Sequence, residues 1–122
     1  MSLALLVSIV AGLGAVARYV VDTAIQARHR GRFPLGTLTI NLVGSFLLGL
    51  ITGLAAHHGL NSRTTIVAGV GFCGGFTTFS TWMWESLVLA RTRAVRAAML
   101  NTLGSVVLGL VAAGAGLGVA LL

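Results

Sequence analysis

The stretch GGFTTFST, Gly74 to Thr81, sits inside an apolar segment that carries no charge from Thr64 to Trp84. A helix in lipid keeps its backbone hydrogen bonds to itself, because hydrocarbon offers no substitute partners. Here the paired glycines Gly74 and Gly75 lower helix stability, and the hydroxyls of Thr77, Thr78, Ser80 and Thr81 suit backbone groups that a helix would release. The stretch therefore predicts a break in a membrane-spanning helix. Broken backbone at membrane depth is tolerated only within protein or beside a polar cavity, and in transport proteins such breaks bind ions. A glycine-mediated helix crossing without an ion is the competing reading.

The surrounding sequence is that of a membrane protein. Of 122 residues, 57% are hydrophobic and 8% charged, with a mean hydropathy of +1.00, which excludes an ordinary soluble domain. Four stretches, 3–24, 34–56, 64–90 and 97–122, reach the ~20 apolar residues that a bilayer span requires. The loops between them are short, so residues 1–122 read as one all-α, four-helix transmembrane channel domain with the break in its third helix. The run Ala15-Val16-Ala17 imitates a leader cleavage site. Nothing positive precedes it except the terminal amine, and the helical pattern continues through Arg18, Tyr19 and Val20, so it reads as part of the first span.

The net charge is +6, and all eight positive residues are arginines. Arg28, Arg30 and Arg32 follow the first span and Arg91, Arg93 and Arg96 follow the third, a distribution that marks topology. It places both arginine-rich loops in the cytoplasm and both termini outside, in a multi-pass protein of the cell inner (plasma) membrane. Nucleic-acid binding is not supported, since no soluble domain presents a groove or patch. Cys73, the single cysteine, reads as a small buried filler. His29, His57 and His58 form no ligand spacing and no nucleophile–base set, so no enzyme is read here.

Polar residues recur at helical spacing. Thr37, Asn41 and Ser45, with Thr52 beyond, lie close to one face of the second span; Asn101, Ser105, Gly109 and Ala113 do the same on the fourth. Small and hydroxyl residues also let helices pack closely in lipid, as expected of Gly44, Gly49 and Gly53, and packing is the plain alternative for the Ser and Thr positions. Asn41 reads as functional, because an amide in hydrocarbon needs partners. Phe79 and Trp82, three apart, share a face just after the break, and aromatic edges carry the positive part of the ring quadrupole. A small anion can pass along such edges; lipid-facing or packing rings are the alternative.

Three motifs then carry a resemblance. They are GLGAVARY at 12–19, PLGTL at 34–38 with NLVGSFLLG at 41–49, and GFCGGFTTFST at 71–81. Together they closely resemble the Fluc (CrcB) fluoride channels over nearly the whole chain, the third motif being the most specific. The resemblance implies an antiparallel dimer of four-helix subunits, with two fluoride pores and one structural sodium ion at the dimer centre. It maps the sodium to the backbone carbonyls of Gly74 and Thr77, and the fluoride path to Asn41, Phe79, position 82 and Ser105. Arg18 and Glu85 match a characteristic basic and a characteristic acidic residue without an assigned role, and Gly75, Thr78, Ser80 and Thr81 complete the break motif.

Departures from the family pattern are Trp82 where a second Phe is usual, Gly109 where some members carry Ser, and Asn101 where some carry Tyr. The indole offers an edge and also an N–H that can donate to an anion. The implied function is passive fluoride export down its electrochemical gradient. Physically, amide, hydroxyl and ring-edge donors replace the water of a small, strongly hydrated anion without a fixed cation to trap it. A small proton-coupled multidrug-type exporter is the rival reading. It needs a membrane-embedded carboxylate, and the only acids are Asp22, near the end of the first span, and Glu85, late in the third. The one-sided arginines further imply a partner: a homodimer would require insertion in both orientations, so the reading favours a heterodimer with a paralogous subunit of opposite charge bias.

Overall fold

The computed structural model describes residues 1–122. Four helices have the length and composition of membrane spans: α1 (Leu3–Arg28), α2 (Leu35–His57), α3 (Ser62–Arg91) and α4 (Val95–Ala120). Their ends differ from the hydropathy bounds by a few residues. α1 runs four residues past 24, to Arg28, because its last turn is polar but still helical, with Gln26 Nε2 donating to Asp22 Oδ2 at 2.8 Å. Side chains cap two of the starts: Ser2 Oγ accepts from the Leu5 N–H at 3.2 Å, and Asn61 Oδ1 accepts from the Thr64 N–H at 2.8 Å.

α2 lies along α4, α1 lies along the first half of α3, and the second half of α3 meets the beginning of α4. In lipid these contacts rest on close packing rather than on expulsion of water. Glycines make it possible in two reciprocal pairs. A Cβ on Gly49 would strike the carbonyl oxygen of Ala113, and one on Gly116 that of Phe46, which ties α2 to α4. Likewise a Cβ on Gly75 would strike the Ala11 carbonyl, and one on Gly14 the Phe72 carbonyl, which ties α3 to α1.

The predicted break is present. α3 opens as an α-helix at Ser62–Ile66, widens into a π-helix over Val67–Cys73, returns to α geometry at Gly74–Phe76, leaves helical geometry over 77–79 and restarts at Ser80–Arg91. α4 carries a second π-helical stretch at Leu100–Gly104. At the break, Thr77 is extended (φ −80, ψ 164). Its N–H still reaches the Cys73 carbonyl at 3.0 Å. The Thr78 N–H instead turns to Asn41 Oδ1 at 2.9 Å, so the carbonyl of Gly74 loses its helical donor. Thr78 Oγ1 accepts from the Thr81 N–H at 3.3 Å and so serves one of the donors exposed where the helix restarts.

Candidate functional site

The break opens onto a cavity of about 480 Å³ bounded by α2, α3 and α4. Asn41, Phe79, Trp82 and Ser105 all line it, together with Gly74 and Thr77. Two of the anticipated polar stripes meet there: Asn41, Gly44 and Ser45 from α2, and Ser105, Gly109 and Ala113 from α4. Two members fall outside it. Thr52 is exposed and donates to its own helix at the Leu48 carbonyl (2.8 Å), while Asn101 is fully buried, with its amide against Ser86.

Asn41 holds the break with both ends of its amide. Its Nδ2 donates to the Thr78 carbonyl at 2.9 Å, and its Oδ1 accepts from the Thr78 N–H at the same distance. One amide N–H hydrogen is left over for another acceptor. Ser105 Oγ is buried without a protein partner, so its hydroxyl is also uncommitted. Phe79 is 69% exposed and stands edge-to-face with Trp82, centroids 5.5 Å apart at 81°. That arrangement is the one that offers ring edges rather than stacked faces.

The indole N–H of Trp82 does not point at an anion path. It donates to the Asn101 carbonyl at 2.9 Å, which corrects the expectation that this N–H serves as an anion donor. The cause is local: the π-helical stretch at the start of α4 places that carbonyl beside the ring. Asn101 Nδ2 donates to Ser86 Oγ at 2.8 Å, and Ser86 Oγ to the Trp82 carbonyl at 2.9 Å, so the three residues form a closed ring of bonds. What remains of Trp82 for the cavity is its ring.

Two ties were not legible from spacing. Arg18, half-buried on α1, donates from Nη1 to the Thr77 carbonyl at 3.0 Å. Thr37 Oγ1 donates to Glu85 Oε1 at 2.5 Å, linking α2 to the second half of α3. A usable signal existed for the first: an arginine inside a span must find acceptors, and a break supplies the free carbonyls. Ser80 and Thr81 are exposed at the restart, and Gly75 packs on α1 rather than facing the cavity.

The family model described as CrcB-like protein, Camphor Resistance (CrcB), matches residues 5–117. The chain belongs to the CrcB family. Among curated relatives, the protein named fluoride-specific ion channel FluC 1 from Leifsonia xyli subsp. xyli is 51% identical over 113 residues, covering 93% of this chain and 82% of the relative. FluC 2 of Mycolicibacterium paratuberculosis is 48% identical, covering 84% and 81%. FluC 2 of Cutibacterium acnes is 46% identical, covering 91% of each. These CrcB-family relatives are named as ion channels and not as enzymes. Two positions at which this CrcB chain departs from the pattern of the resemblance, Trp82 and Asn101, are bonded to each other.

Proposed function

We propose that this chain is a subunit of a fluoride-selective channel that lets fluoride leave the cytoplasm down its electrochemical gradient. The observation that carries the reading is the convergence of Asn41, Phe79, Trp82 and Ser105 on one cavity beside the helix break. A dehydrating fluoride ion would exchange water for the spare amide N–H of Asn41, the free hydroxyl of Ser105 and the ring edges of Phe79 and Trp82. None of these groups carries a full positive charge, so none holds the ion tightly enough to stop its exit. The relatives' printed names support fluoride as the ion.

The structural sodium belongs to this proposal. Carbonyl oxygens are hard, neutral donors of the kind that unwound helices offer to sodium. Gly74 fits, since its carbonyl lacks a helical donor and the residue is exposed. Thr77 fits less simply, because Arg18 occupies one lone pair of its carbonyl and leaves the other. Two carbonyls from one chain are too few to replace a sodium ion's hydration, so the site requires the same pair from a second subunit. When bound, the ion would add positive potential at the break and satisfy carbonyls otherwise unpaired.

The antiparallel dimer follows from the same need. Phe79, Val70, Leu103 and Leu110 are large apolar residues exposed on α3 and α4, a surface for a second subunit. The arginine bias favours a heterodimer with a paralogue, and relatives carry the paired names FluC 1 and FluC 2; a homodimer is the alternative. The proton-coupled exporter loses ground because Glu85 is tied to the Thr37 hydroxyl rather than free for proton and drug exchange.

Purified protein in liposomes, alone and with its paralogue, tests the reading. Fluoride efflux without chloride efflux is expected. Equal flux of both anions, or no flux of either in both preparations, would overturn it.

A further inference from the structure

Six arginines gather at one end of the bundle, where α1 and α3 end and where α2 and α4 begin. Arg28, Arg30 and Arg32 stand at the α1–α2 connection, Arg91 and Arg93 at the α3–α4 turn, and Arg96 in the first turn of α4. All six are exposed, and none makes a side-chain hydrogen bond or ion pair within the chain. The other two arginines are both engaged, Arg18 with the Thr77 carbonyl and Arg63 with the Met1 carbonyl at 2.7 Å. The contrast separates a free set from a structural set. Arg93 also has a φ of 60, left-handed geometry that glycine or asparagine adopts at less cost, yet the turn carries a guanidinium there.

Between the two loops lies a second cavity of about 420 Å³. Arg32, Gln26, His29 and Thr92 give it polar groups, while Ile25, Leu35, Val88 and Leu89 give it apolar ones. The chain's two acids, Asp22 and Glu85, also line it, and they would repel a phosphate from the interior. A phosphate is therefore held at the rim, by the guanidinium forks, with apolar groups within reach below. Trp84, 61% exposed, lines the same cavity and fits the aromatic belt of a membrane interface.

We propose that this arginine collar binds the phosphodiester headgroups of anionic phospholipids in the adjoining leaflet. Guanidinium matches a phosphate oxygen pair in bidentate fashion, and the ends of the spans set the collar at headgroup depth. Each arginine near an anionic surface enriches it by about fivefold, an effect screened over roughly 10 Å at 0.1 M salt. Orientation during insertion needs only the charge, whereas the collar in the folded protein keeps its six guanidinium groups unpaired and available. The proposal does not depend on the ion conducted.

The test uses Trp84 as reporter in a Trp82→Phe background, which leaves it the single tryptophan. The full chain is reconstituted in phosphatidylcholine vesicles containing a fixed minority of either brominated phosphatidylglycerol or brominated phosphatidylcholine. Brominated phosphatidylglycerol is expected to quench Trp84 more strongly at equal mole fraction. High sodium chloride should remove the excess in the parent protein, and a variant with Arg30→Gln, Arg32→Gln and Arg93→Gln should reduce it while keeping three loop charges for insertion. An excess that soluble inorganic phosphate abolishes would assign the collar to free phosphate rather than lipid and overturn the proposal. So would equal quenching by the two lipids.

Discussion

Asn41 and Thr78 exchange two hydrogen bonds, Nδ2 to carbonyl and N–H to Oδ1, each 2.9 Å long. One side-chain amide thus replaces what the helix gives up at the break, and the same amide lines the cavity. Replacing Asn41 by Ala leaves both backbone groups of Thr78 short of a partner, at a cost of about 1–3 kcal/mol. Fluoride flux should fall by at least about tenfold, the loss expected when a donor worth ~1.4 kcal/mol leaves a rate-limiting site. Phe79→Ile separates the two effects: the residue is 69% exposed, so stability should barely move while flux falls. Normal flux in both variants would remove the proposed path from this cavity.

Glycine positions divide sharply. Gly75→Ala and Gly14→Ala drive a methyl into backbone of the facing helix, an overpacking that costs about 1–3 kcal/mol. Gly12→Ala and Gly118→Ala meet nothing within 4 Å and should be neutral or slightly stabilising. Thermal unfolding in detergent, monitored by helical circular dichroism, checks the ordering. A Gly75→Ala protein as stable as the parent would show that the α1–α3 contact gives way easily.

Trp82→Phe removes the indole donor but keeps a ring edge beside Phe79. Because the N–H already serves the Asn101 carbonyl, flux should be maintained, with a stability loss of about 1 kcal/mol from the lost bond. Trp82→Ala removes the edge as well and should lower flux. Liposome efflux of the two variants, measured together, decides whether the ring contributes.

Thr37→Val keeps the shape of the side chain and deletes the hydroxyl that Glu85 Oε1 accepts from. The carboxylate then loses a protein partner in a half-buried place, with an expected cost of about 1–3 kcal/mol. Glu85→Gln retains an acceptor for Thr37 and should be milder. Unfolding midpoints in that order support the tie; equal midpoints for parent and Thr37→Val would assign Glu85 another partner in the membrane.

Orientation is open to direct measurement. Cysteines placed at either terminus and in the α1–α2 loop, labelled in intact cells expressing this chain alone, should report one topology, with termini outside. Cys73 is buried and should stay silent. An even split between accessible and protected termini would establish dual topology and dispense with a paralogue.

The four spans and the break were readable because hydropathy and paired glycines act locally along the chain. The convergence of Asn41, Phe79 and Ser105 was readable from helical spacing. The fate of the indole was not, since it depends on where the Asn101 carbonyl falls after a π-helical stretch in another helix. Arg18 meeting Thr77, and Thr37 meeting Glu85, likewise join residues 59 and 48 positions apart. No local pattern encodes such pairs, although the demand of a buried charge for a partner points toward them.

The wide helical turn at Val67–Cys73 makes α3 unusually intolerant of length change. A π-helical stretch holds an extra residue relative to α geometry. Deleting one residue there would restore a regular helix and rotate everything after it by about 100° about the axis. Phe79 and Trp82 would swing away from Asn41 without any change in their identity. In this chain, then, a lost codon between 67 and 73 acts as a change of aim, and a compensating insertion before the break, rather than a substitution, is what would return the rings to their cavity.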